Sequence, residues 1–140
     1  MRVSVLGTIT LPGTRRSVGH ARSFLRDLVP DGHPARDDLV TAGSETVCNA
    51  ITHTDSGKGG WVTVTLLDVH GRYRLEVQDD GAAGARPHVV PECGGESGRG
   101  MRIVEAVSEE WGFRAAGDRT VVWAEFPRVV RLGAAPRPEP

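Results

Sequence analysis

Arg72-Tyr73-Arg74-Leu75-Glu76-Val77-Gln78-Asp79-Asp80-Gly81 is the stretch on which the reading of this chain turns. Side chains on a strand alternate between its two faces. Tyr73, Leu75, Val77 and Asp79 therefore share one face, and Arg72, Arg74, Glu76, Gln78 and Asp80 take the other. Asp79 stands at the end of the apolar row and points where the core residues point. An inward carboxylate needs a partner, which makes Asp79 the acid of interest and leaves Asp80 on the solvent side.

Just upstream, His70-Gly71 is the two-residue link that closes an antiparallel hairpin, so Trp61 to Val69 is the neighbouring strand. Before it, residues 55–60 read as a flexible loop. A helix is expected from Pro34 or Ala35 to about Thr54. Leu39, Gly43, Thr46, Val47, Ala50, Ile51 and Thr54 fall within one arc of it, the core face. Glu45, Asn49 and His53 follow at i, i+4 and i+8 along the edge of that arc. Groups at such a boundary can face a cleft, although a solvated helix face has the same pattern.

Downstream, residues 81–99 carry glycines, prolines and few large apolar groups. A loop this long is usually functional or mobile, and it reads as a lid. Gly98-Arg99-Gly100 then opens a helix to Val107 or Glu109, with Met101, Val104 and Val107 inward. Its unpaired amides and positive dipole end form a natural anion site, and its glycines admit a close approach. Trp111 to Ala115 and Thr120 to Phe126 are two further strands, turned at Gly117-Asp118.

At the start of the chain, Arg2 to Leu11 reads as a strand with Val3, Val5 and Ile9 on one parity, closed by Pro12-Gly13. Thr14 is the expected N-cap of an amphipathic helix whose buried face is Val18, Ala21, Leu25 and Leu28. Arg15, Arg16, Arg22 and Arg26 form its solvated side. Pro30-Asp31-Gly32 turns the chain.

The 140 residues form one domain, 39% hydrophobic and 25% charged, as in ordinary soluble proteins. A formal net charge of −1 gives no bulk attraction to nucleic acid or an anionic membrane. No apolar run approaches the roughly 20 residues of a membrane span, and no signal-peptide core is present. Cys48 and Cys93 are too few and too distant in sequence for a metal site. A free thiol in a reduced, cytoplasmic compartment is expected. Residues 1–127 form the domain, and 128–140 a proline-rich, disordered tail.

In order and spacing these stretches resemble the GHKL ATPase superfamily, which includes gyrase B, histidine kinases and bacterial anti-sigma factor kinases. The stretch from Glu45 to His53 is similar to its asparagine box, Asp79-Asp80-Gly81 to its first glycine box, and Gly98 to Val104 to its second. The resemblance covers residues 3 to 126 and, at this size, is to stand-alone anti-sigma factor serine/threonine kinases. It implies an α+β fold, a two-layer α/β sandwich with a mixed, mostly antiparallel sheet and helices on one face. The outer face of the sheet is left for a partner.

By the same resemblance, ATP and Mg²⁺ are the implied ligands. Asn49 would coordinate Mg²⁺ with its amide oxygen. Asp79 would accept a hydrogen bond from the adenine amino group, and Gly81 would let the backbone pass the base. Gly98, Arg99, Gly100 and Met101 would wrap the phosphates, with His53 a candidate to reach one of them. Glu45 would be the general base. Ala83 replaces the second glycine of the first box, and Thr46 and Cys48 make the asparagine helix unusually polar. The implied function is transfer of the ATP γ-phosphate to an anti-sigma-factor antagonist, with a sigma factor as second partner and homodimerisation allowed. The alternative is a nucleotide-dependent binding module with little or no phosphotransfer. An α+β domain without nucleotide would require three coincidences.

Overall fold

The computed structural model describes residues 2–53, 58–80 and 100–129. Its elements are β1 (Val3–Pro12), α1 (Arg16–Leu28), α2 (Arg36–His53), β2 (Trp61–Val69), β3 (Arg72–Asp79), α3 (Gly100–Val107), β4 (Glu110–Ala116) and β5 (Arg119–Pro127). Five strands form one sheet in the order β1-β2-β3-β5-β4. Every described pairing is antiparallel. The helices pack on one face of the sheet, giving the two-layer α+β sandwich. Gly81, Gly98, Arg99 and the lid from 82 to 97 lie outside the described residues, as does the chain beyond 129.

Alternation holds along the centre of the sheet. Tyr73, Leu75, Val77 and Asp79 are buried, and the residues between them are half-exposed. His70 and Gly71 both have positive φ, 56° and 80°, as the type I′ hairpin turn requires.

The first strand departs from its sequence reading. A bulge between Val5 and Gly7 shifts the register, so Val5 pairs with Leu67 and Ile9 with Val64. Val3 and Val5 therefore stand exposed on the outer face, while Ile9 packs against the core. One extra residue inverts the parity of everything before it.

Two helix starts also depart from simple capping. Arg15 occupies the N-cap of α1 and makes no side-chain cap bond. The buried Ser17 hydroxyl instead donates to the Pro12 carbonyl, which fixes the entry from β1, and Thr14 contributes its carbonyl, which accepts the Ser17 amide at 2.9 Å. In the turn ahead of α2, His33 Nδ1 accepts the Ala35 amide at 3.0 Å. Its Nε2 then donates to the Arg128 carbonyl at 2.8 Å, and its ring meets Tyr73 edge-on at 5.3 Å. Together with the bond from the Val129 amide to Gly71, this ties residues 128 and 129 to the domain.

Burial on α2 is wider than the predicted arc, taking in Val40, Ala42 and Cys48. The helix lies on the sheet with α1 on one flank and α3 on the other, so only a narrow strip faces solvent. Cys48 is disulfide-bonded and not the free thiol expected. Separation along the sequence sets no bound on separation in space, and the case for a reduced compartment loses this support.

Where α1 crosses α2, a β-carbon on Gly43 would lie 2.3 Å from the Leu25 side chain. Leu25 is fully buried and fills the space that the glycine leaves. Leu25→Ala is expected to destabilise the fold by about 2–5 kcal/mol, measurable by chemical denaturation.

Candidate functional site

Four contacts orient the helices on the sheet. His33, just before α2, meets Tyr73 near the start of β3, and further on Gly43 lies against Leu75. The helix therefore runs in the same direction as β3. From Arg36 to Asn49 a helix advances about 20 Å, and from Tyr73 to Asp79 a strand also advances about 20 Å. Asn49 and Asp79 thus lie toward the same end of the sheet.

The third helix runs the other way. Past its C-terminus, the Glu109 amide donates to the Glu125 carbonyl at 2.9 Å, and the Glu109 carboxylate pairs with Arg72 at 2.6 Å. That end lies beside the start of β3, which turns Gly100, the first residue of α3, toward the Asp79 end. The C-terminal half of α2, the end of β3 and the opening of α3 converge on one region. Their packing follows from the core: Met101 and Val104 are fully buried, and α3 lies directly against α2.

Asp79 is 3% exposed on the inner face, paired across the sheet with Thr120 of β5. Asp80 does a different job. Its carboxylate accepts the Trp61 amide at 2.9 Å and pairs with Arg119 at 3.2 Å, fastening the start of β2 to the start of β5. The two adjacent acids are thus divided by parity into one core-facing and one structural.

Asn49 is half-buried on α2, and His53 is half-buried in its last turn. Among the described residues no group of three His, Cys, Asp or Glu could hold a metal ion. A divalent cation here would lean on one amide oxygen and on ligand phosphates, the arrangement hard Mg²⁺ tolerates. The Met101 side chain belongs to the core, so any contact it makes with a ligand is through its backbone.

Glu45 lies one turn before Asn49, half-buried in a cleft of about 240 Å³ between α1 and α2. Burial raises its pKa above the ordinary glutamate value. No hydrogen bond or ion pair among the described residues holds its carboxylate. A half-dry, uncommitted carboxylate is suited to taking a proton. The cleft's other wall is Arg22 and Arg26 of α1, both exposed.

The family profile for the histidine kinase-like ATPase domain matches residues 11–126. The chain belongs to this family. Glu45, Asn49, Asp79 and Gly100 all fall within the matched residues of this histidine kinase-like ATPase domain, whose ligand is ATP. No curated protein matches the chain. Among solved structures, the RsbU and RsbW domains of Rv1364c from Mycobacterium tuberculosis match with a TM-score of 0.63 and 24% identity. That match covers 91% of this chain and 32% of the other, so the ATPase domain described here spans about a third of that chain. The likeness is one of fold. No helix among the described residues is long and apolar enough to cross a membrane.

The outer face of the sheet carries a neutralised network. Glu76 receives Arg74 at 2.8 Å and Arg114 at 3.2 Å, and Glu125 receives Arg74 at 2.8 Å. Arg74 also stacks on Trp123 at 4.3 Å. Burial works against ionisation of Glu76, but the bonds from Arg114 and Arg74 outweigh it and hold the carboxyl below its ordinary range.

Proposed function

We propose that this ATPase domain is a serine/threonine protein kinase of the anti-sigma factor type. The observation that carries the reading is Glu45, half-buried and uncommitted, one turn from Asn49. A site that only held nucleotide would have no use for a base there. In the proposed step, a partner's hydroxyl oxygen forms a bond to the γ-phosphorus as the bond to the β–γ bridging oxygen breaks. ADP leaves with that electron pair, and the hydroxyl proton passes to the Glu45 carboxylate.

Asn49 would hold Mg²⁺, which neutralises phosphate charge as it develops. Asp79 would fix the adenine, and the amides around Gly98, Arg99 and Gly100 would hold the phosphates, with Gly81 beside the base. His53 would lie within reach of a phosphate. The partners are an anti-sigma-factor antagonist as substrate and a sigma factor as the regulated protein. Such partners require a cytoplasmic location, and homodimerisation is compatible with the same reading.

The test is incubation with radiolabelled ATP, Mg²⁺ and candidate antagonist proteins encoded in the same genome. Label on a serine or threonine of one candidate is the expected result. ATP bound with no label transferred to any candidate would favour a nucleotide-dependent binding module.

A further inference from the structure

His33 stands in the link between α1 and α2 and joins three parts of the fold. Its Nδ1 lies 3.0 Å from the Ala35 amide nitrogen, its Nε2 lies 2.8 Å from the Arg128 carbonyl, and its ring meets Tyr73 of β3 edge-on. Each polar partner has a single role, since a backbone amide only donates and a carbonyl only accepts. Nδ1 must therefore carry a lone pair and Nε2 a proton. The contacts admit one form of the ring, the neutral Nε2–H tautomer. An imidazolium is a donor at both nitrogens and would turn one N–H on that of Ala35.

What the ring holds is the end of the domain. β5 makes its last ladder pair between Pro127 and Arg72. Beyond it the Arg128 carbonyl takes the His33 proton, and the Arg128 guanidinium pairs with Asp68 of β2 and lies over the Tyr73 ring at 5.3 Å. The Val129 amide donates to the Gly71 carbonyl at 3.2 Å. Tyr73, touched by both His33 and Arg128, is 1% exposed.

The charges around the ring leave His33 as the member that responds to acid. In its own link Asp31 is taken by Arg36 at 2.6 Å. Asp37 and Asp38, in the first turn of α2, are exposed and screened by water and salt. From beyond β5, Arg128 brings a positive charge, which does not favour a second one. The Gly71 amide and then Arg128 hold the Asp68 carboxyl below its ordinary range, so that pair stays ionised down to pH 5. His70 is exposed at the hairpin tip. An imidazole changes charge between about pH 5 and 8.

We propose that His33 is a pH-sensitive latch: its neutral ring fastens Arg128 to the link ahead of α2, and protonation of the ring lets the chain go from Arg128 onward. The latched state takes no proton at Nδ1 and the open state does, so falling pH favours opening. The latch is whole above the imidazole range and is lost as pH drops through it. Opening uncovers Tyr73, about 20 Å along β3 from Asp79, and leaves the nucleotide region alone.

The test is NMR on the full chain without nucleotide, so its outcome is independent of the kinase reading. Ring nitrogen spectra at pH 7.5 should show His33 protonated at Nε2 and bare at Nδ1. Hydrogen-exchange protection of the Ala35 and Val129 amides, corrected for the intrinsic rate, should fall about tenfold between pH 7.5 and 5.5. The Leu75 and Val122 amides should keep theirs. In His33→Asn the side chain can still accept an amide two residues on but cannot take a charge, so the pH response should vanish while Mg·ATP affinity stays as in the wild type. A ring protonated at Nδ1 at pH 7.5, or protection of Ala35 and Val129 that does not change with pH, overturns the proposal. A uniform loss that includes Leu75 and Val122 is global unfolding and overturns it too. A response that persists in His33→Asn assigns the titration to another group, His70 first, and removes His33 from the role.

Discussion

Glu45→Ala is expected to lower phosphoryl transfer to the partner by about 10²–10⁴-fold, the usual cost of losing a positioned base. Affinity for Mg·ATP should change little, because a base acts on the nucleophile and scarcely touches bound nucleotide. Asn49→Ala should instead weaken Mg·ATP binding itself. Calorimetry and single-turnover label transfer read the two effects separately. Variants that behaved alike in both would undo the division between base and metal ligand.

The same residue sets a pH dependence. Burial raises the Glu45 pKa, so transfer should fall as pH drops through a value above the ordinary glutamate range. Its effect on stability has a definite sign. Between the unfolded and the raised folded pKa the folded state holds more protons, so this contribution weakens as pH rises. Glu45→Gln cannot ionise. It should remove the acid limb of the rate profile and leave the fold at least as stable at neutral pH.

Asp79→Asn should weaken ATP binding by about 1.5–3 kcal/mol, the worth of a hydrogen bond to a charged group. That corresponds to roughly 10–150-fold in Kd. The substitution keeps the shape at the end of β3 but replaces one acceptor oxygen with a donor, misaligned with the adenine amino group. Preference for ATP over GTP should shrink with it, since guanine presents a carbonyl at that position. Asp79 is 3% exposed, so the thermal midpoint without ligand should be recorded to separate loss of fold from loss of affinity. Wild-type affinity in a folded variant would remove Asp79 from the site.

What could be read from the chain was whatever depends on a period of two or of 3.6. The inward Asp79 and outward Asp80 follow from parity along an unbulged central strand, and the structure has them so. The inward face of α3 was equally legible. Parity failed in β1, where the bulge near Gly7 reverses it, because no residue type there announces an extra position. A single helix also does not say which helix will lie beside it. Arg22 and Arg26 read as solvated on α1, and only the packing of α1 on α2 makes them a wall of the Glu45 cleft. The breadth of burial on α2 was hidden for the same reason. The disulfide at Cys48 depends on three-dimensional proximity, which spacing does not encode.

The strand order has a consequence for how such a domain can diversify. The chain leaves the sheet at Asp79 and re-enters at Glu110, yet β3 is zipped to β5 across that gap, from Arg72 with Pro127 to Asp79 with Thr120. The intervening stretch carries no strand of its own among the described residues. Sheet register therefore does not fix the number of residues between Asp79 and α3. Insertions and deletions should be accepted there far more readily than in the His70-Gly71 turn, where one added residue would break the hairpin. Relatives could differ in the reach of this segment, and so in what it touches, over an unchanged sheet.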